Sequence, residues 1–230
     1  MSSADYQLPE TRPSRNWPAL AISGLFHPLL IPTYSFLILA GVNPYLFGTA
    51  DLGEPKAMGH LILIFLNTFI IPTVAVWIML KLNMINSLMM HEKSERIGPL
   101  LLVMVLYFWI YWNFHNNNQT PTIFSSFLLG VVIALVLDFV INLVDKISLH
   151  ATGMGGLVGV CVIMLGLFGP NGIGIGNLTL GLPLLVAFSL FLAGLVGSAR
   201  LALGGHSPMQ LYAGYMVGFV AQFVALKFYF

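Results

Sequence analysis

Three short polar segments of this chain carry residues that could do chemistry. The first is His91-Glu92-Lys93-Ser94-Glu95-Arg96-Ile97-Gly98-Pro99. The second is Lys146-Ile147-Ser148-Leu149-His150-Ala151-Thr152-Gly153. The third is Ser198-Ala199-Arg200 followed, after five residues, by His206-Ser207-Pro208-Met209-Gln210. Together they offer several cations, hydroxyls and at least two histidines. That set suits a phosphoryl group: arginine forks onto its oxygens and lysine adds a point charge. One histidine can attack phosphorus while a second protonates the departing alkoxide. Neither a metal ion nor a cofactor is needed where enough cations surround the transferred group. The one cysteine, Cys161, lies in an apolar run, which excludes an intramolecular disulfide and a thiolate zinc cluster.

The elements that must position these segments are membrane spans. Of 230 residues, 58% are apolar and 7% charged, and mean hydropathy is +0.90. A soluble domain carries roughly 25% charged residues. The apolar residues fall in long unbroken runs, as helical spans do, and not in the short alternating segments of an outer-membrane barrel. A spanning helix needs about 20 apolar residues. Seven candidates meet or approach that length: 19–41, 58–82, 99–114, 123–144, 152–169, 182–203 and 208 to near the C-terminus. The third is the shortest, its sixteen residues reaching about 24 Å, so a count of six stays open. Residues 1–16 read as a polar tail and 17–230 as a single transmembrane domain. The Gly-rich stretch 170–181 reads as a loop or a re-entrant segment. The fold class is an all-α polytopic bundle.

With seven spans, parity gathers the three polar segments on one face, together with the N-terminus. That face holds Arg12, Arg15, Lys81, Lys93, Arg96, Lys146 and Arg200, against Lys56 and Lys227 on the other. The positive-inside rule then predicts a multi-pass protein of the cell membrane with this face in the cytoplasm. Three spans begin on it, the third, fifth and seventh, and their free backbone N–H groups favour an anion. A net charge of +1 gives no global field to recruit nucleic acid.

Arg200, five residues and then His206 resembles the Ser-Arg-x5-His motif of the PAP2 (type 2 phosphatidic acid phosphatase) superfamily. Ser148-Leu149-His150 is similar to its Pro-Ser-Gly-His motif, and Arg96 with Pro99 to a loosened Lys-x6-Arg-Pro motif. The three stand in the family's order. The resemblance implies a PAP2-like core, metal-independent hydrolysis and a lipid or prenyl phosphate as substrate. It implies His206 as nucleophile forming a phosphohistidine and His150 as general acid. Arg96, Ser148 and Arg200 would hold phosphoryl oxygens, with added charge from Lys93 or Lys146. The sequence departs from the family at Ile147, Leu149 and Ile97, in the spacing of Lys93 to Arg96, and at Gln210, where an Asp that orients the nucleophile is expected.

Several residues admit two readings. Gln210 either orients His206 or completes a capping box with Ser207 and Pro208. Asp138, inside the fourth span, either serves the site, by holding one of its cations or orienting His206, or pairs helices. Lys93 and Lys146 are phosphate contacts or interfacial anchors, and Glu92 and Glu95 balance Lys93 and Arg96. His27, beside Pro28, is expected to pack between helices, and Gly214 with Gly218 to form a close helix contact. Two functions from different classes follow. One is a lipid-phosphate phosphatase or phosphotransferase. The other is a catalytically degenerate PAP2-like protein that binds or transports lipid headgroups. Haloperoxidase chemistry shares the anion site but belongs mainly to soluble relatives.

Overall fold

The computed structural model describes residues 16–88, 90, 94–117, 120–169, 172–175 and 178–230. Lys93, Glu92 and residues 1–15, with Arg12 and Arg15, lie outside the described residues. Seven helical stretches are long and apolar enough to cross a membrane, and they form an all-α polytopic bundle.

The first stretch is not one helix. It consists of α1 (Trp17–Leu25), a 3-10 turn (Pro28–Leu30) and α2 (Ile31–Val42). Pro28 has no N–H and disfavours helical backbone at the residue before it, so the chain leaves the helix at Phe26 and His27. The second stretch is α3 (Pro55–Phe65) and α4 (Ile71–Lys81), joined by a π-turn (Leu66–Ile70). Pro72 follows that turn, and widening to π geometry accommodates its ring without ending the span. The third is α5 (Ile97–His115), preceded by a 3-10 turn (Ser94–Arg96). Its 19 residues reach about 28 Å, close to the hydrocarbon thickness.

The remaining stretches are α6 (Thr122–Val144), α7 (Leu149–Phe168), α8 (Leu182–Ala202) and α9 (Pro208–Tyr229). Between α7 and α8 the backbone forms a short antiparallel hairpin, β1 (Gly172–Ile175) and β2 (Leu178–Gly181). This replaces the expected loop or re-entrant segment. Isoleucine and leucine alternate with small residues in these strands.

The centre of the bundle is α7, which packs on α8 and α9, while α9 packs on α6. Helices α7 and α9 approach closely because glycines face the contact. A Cβ on Gly214 would lie 2.8 Å from the Ser148 carbonyl oxygen, and one on Gly218 would overlap the Thr152 carbonyl. Backbones thus meet where side chains would otherwise hold them apart. A second core lies toward the opposite end, where Phe36, Phe47, Phe114 and Phe124 pack edge to face with centroids 5.0 to 5.9 Å apart. The outer surface exposes Trp77, Phe108, Trp109, Phe188 and Phe191, as lipid-facing helices do.

Candidate functional site

The connections after α4, α6 and α8 lie at one end of the bundle, and their side chains meet over a cavity of about 630 Å³. Arg96, His150, Arg200 and His206 line it. So does His27, which sequence reasoning assigned to helix packing. The break before Pro28 exposes its ring to the cavity, edge-on to His150 at 5.4 Å between centroids. A histidine directly before a proline inside an apolar run was the available signal.

Arg96 is buried at the N-terminal end of α5. Its Nε donates to the Met90 carbonyl at 3.1 Å and its Nη1 to the Ile147 carbonyl at 3.2 Å. Met90 sits in the left-handed region, at φ 46°, a conformation that needs compensation in a non-glycine residue. The Arg96 bond supplies some. These bonds fix the guanidinium and leave Nη2 for the cavity. The neighbouring Glu95 accepts from the backbone N–H of Asn86 at 3.0 Å.

Arg200 ends α8, where the helix dipole favours a cation. That effect is worth about 0.3 to 1 kcal/mol. No hydrogen bond from Arg200 to another described residue is present, and its buried Nε lacks any partner. The guanidinium lies over Gly205, where a Cβ would be 3.0 Å from Nη2.

His206 sits in the short connection before α9. Its Nδ1–H donates to Gln210 Oε1 at 3.3 Å, which leaves Nε2 bare. Burial, then the charges of Arg96 and Arg200, with a smaller push from Lys146, lower its pKa to about 4. Its ring is therefore neutral at pH 7 and its free nitrogen can attack. Gln210 is placed for both roles left open for it. It completes the capping box of α9 with Ser207, and the same Oε1 accepts from His206. The opposite end of its amide donates from Nε2 to Asp145 Oδ1 at 3.2 Å. Asp145 thus favours the amide orientation that presents oxygen to His206.

His150 lies in the first turn of α7. Its Nε2 is 3.0 Å from the Ser23 carbonyl, which fixes it as the donor. The sequence reading departs from the structure at Ser148. Its residue is buried, its hydroxyl accepts from the Ala151 N–H at 3.4 Å as the N-cap of α7, and it is not part of the cavity wall. The helix begins one residue before His150, which makes the preceding serine a cap. Lys146 is also outside the wall, although its charge reaches His206. Asp138 does not orient His206. It is fully buried and accepts from the Thr152 hydroxyl at 3.0 Å. Among the described residues no group of three or more His, Cys, Asp or Glu is placed to hold a metal ion.

Below this charged mouth the cavity wall becomes apolar, with Leu100, Val103, Phe127, Val131 and Ala134. It reaches as deep as Gln222, fourteen residues into α9 or about 21 Å from its start. Val74 and Trp77 also line it and are 48% and 52% exposed. Comparisons with protein-family models, curated proteins and solved structures found no match.

Proposed function

We propose that this protein hydrolyses a lipid phosphate through a phosphohistidine, or transfers its phosphoryl group. The observation that carries this reading is the meeting of Arg96 and Arg200 with His150 and His206 at the mouth of a long apolar cavity. The unmet donors of Arg200 suit phosphoryl oxygens. The apolar body suits an acyl or prenyl chain.

In the proposed reaction the Nε2 lone pair of His206 attacks phosphorus in line with the lipid oxygen. A P–N bond forms as the P–O bond to the lipid breaks. The leaving alkoxide takes a proton from His150. With Nε2–H held by Ser23, that proton must come from Nδ1, so His150 acts as the imidazolium, a form that a bound phosphate dianion favours. Water then cleaves the P–N bond and releases inorganic phosphate, with its proton returning to His150. Arg96 and Arg200 neutralise the charge that builds on the equatorial oxygens.

A second reading is headgroup binding without turnover. The capping of Ser148 and the commitment of His150 Nε2 to Ser23 favour it, since both remove groups from the reacting centre. The deciding experiment incubates detergent-solubilised protein with a panel of lipid phosphates, with and without vanadate, and measures phosphate release. Vanadate-sensitive release that His206→Ala abolishes supports hydrolysis. Tight lipid-phosphate binding with no release, equal in wild type and His206→Ala, supports the second reading.

A further inference from the structure

The cavity carries a second polar feature that phosphate binding does not use. Asp138 is in α6, six residues before its end and so about 9 Å inside the bundle. It is fully buried and lines the cavity. One carboxyl oxygen takes the Thr152 hydroxyl at 3.0 Å, while Oδ2 has no partner. Thr152, which shares its hydroxyl with the Ser148 carbonyl at 3.3 Å, lines the same wall. No arginine or lysine among the described residues forms an ion pair with Asp138. A carboxyl group held in a span without a full set of partners marks a binding position more often than a packing one.

The placement says what kind of group would meet it. Thr152 is two residues past His150, about 3 Å further along α7, and Asp138 is hydrogen-bonded to it. A substrate with its phosphate at the arginines and its chain in the apolar body would pass Asp138 a few bonds from phosphorus. We propose that Asp138, steadied by Thr152, binds a hydroxyl on the lipid backbone next to the phosphate. The preferred ligand class is then a hydroxylated single-chain lipid phosphate, not a plain prenyl phosphate. A hydroxyl both donates and accepts, so it satisfies the carboxyl oxygen in either protonation state. A hydrocarbon at the same place leaves a buried polar atom unmet, and sites built to bond a hydroxyl reject analogues that lack it.

This inference rests on the proposed lipid-phosphate reading, and the test separates the two. Binding of two probes to the full chain in detergent is measured by competition. One is an oleoyl-glycerol phosphate with its free hydroxyl. The other is the matched oleoyl-propanediol phosphate without it. Wild type is expected to bind the first at least tenfold more tightly. Asp138→Ala should bring the ratio near one by weakening only the hydroxylated probe, and Asp138→Asn, which can still hydrogen-bond, should keep part of it. Equal affinities in wild type overturn the inference, whatever the variants do, and mean that water or a proton satisfies Oδ2. An unchanged ratio in folded Asp138→Ala overturns it too. If Asp138→Ala does not fold, Thr152→Val serves in its place, with a reduced ratio expected and an unchanged one counting against the inference. Binding that discriminates the probes with no phosphate release upholds the hydroxyl site and removes hydrolysis. Failure of both probes to bind overturns both readings.

Discussion

His206 and His115 lie at opposite ends of the bundle, each beside the end of a span and each near a second histidine or an aromatic group. His115 closes α5 and stacks on Tyr111 at 5.6 Å. Its Nδ1 is 2.8 Å from the Tyr229 hydroxyl, which also reaches the Tyr111 hydroxyl at 3.2 Å. Nearby, His60 packs within a ring of Phe36, Phe47 and Phe114. Neither His60 nor His115 lines the cavity below His206. At the other end, His206 has one ring nitrogen held and the other bare, near the guanidinium groups of Arg96 and Arg200, the second with its buried Nε unpaired. The residue types overlap, yet one end packs its histidines among aromatic side chains, where His60 Nδ1 is buried without a partner. The other gathers unpaired groups on a space that a ligand could fill. A missing partner occurs at both ends; what sets the His206 end apart is convergence on a cavity, not histidine content.

The largest effect should come from the proposed nucleophile. His206→Ala is expected to lower lipid-phosphate turnover by roughly 10⁴-fold or more, as loss of a nucleophile does elsewhere. His115→Ala and His60→Ala should leave turnover within about twofold in folded protein. A comparable loss in either of these would erase the distinction between the two ends. Phosphate release from variants matched for melting temperature makes the comparison.

Next come the arginines. Arg200→Ala should lower turnover by about 10² to 10³-fold, the scale of removing a donor aimed at transition-state charge. Arg200→Lys should recover only part of this, because lysine cannot fork. The same substitution removes one of the charges that depress His206. Its ring should therefore titrate above about 4 and toward the ordinary value near 6.5. Nuclear magnetic resonance of the His206 ring reads this directly. The sign for stability follows. The unfolded chain takes up a proton on this histidine first, so the folded protein loses stability as pH falls from about 6.5 towards 4 and loses no more from this group below that. Arg200→Ala should narrow that window from its acid side.

Much of the fold was legible because hydropathy alone defines a span, and α6 through α9 fall within a few residues of their expected ends. Spatial proximity of Arg96, His150, Arg200 and His206 followed from parity, since alternating spans must return these segments to one face. What escaped the sequence depends on local backbone geometry. Whether His27 packs or lines a cavity turns on where Pro28 ends α1. Whether Ser148 faces ligand or caps a helix turns on a single residue of register, since α7 begins at Leu149. The role of Thr152 beside Asp138 needs the relative rotation of α6 and α7, which the glycine contacts of α9 set and no periodicity reveals.

A smaller effect tests the support behind His206. Gln210→Leu removes both the acceptor for Nδ1–H and half of the capping box. Turnover should fall by about tenfold, from loss of the held tautomer. The lost cap should cost about 1 kcal/mol of stability. Asp145→Asn keeps Gln210 but lets its amide turn, and should lower turnover by about two- to threefold with little change in stability. Equal turnover in all three proteins would show that Gln210 serves the cap alone, leaving His206 to be oriented by substrate.

The smallest effect belongs to the other end. Tyr229→Phe removes one hydroxyl that joins Tyr111 to His115. The tyrosines there are partly exposed to the interface, where water can replace a lost partner. The net worth of such a hydrogen bond is about 0.5 to 1.5 kcal/mol, and that exposure points to the lower part of the range. Turnover should be unchanged, because nothing connects this cluster to the cavity mouth except the length of α5 and α9. A melting temperature lowered by a few degrees with full activity would match a tie between helix ends. A large loss of turnover at unaltered stability would mean instead that the two ends are coupled along α9, the helix that His206 precedes and Tyr229 closes. Gly218 would then be the residue through which to look for that coupling, since it is where α9 rests on the backbone of α7.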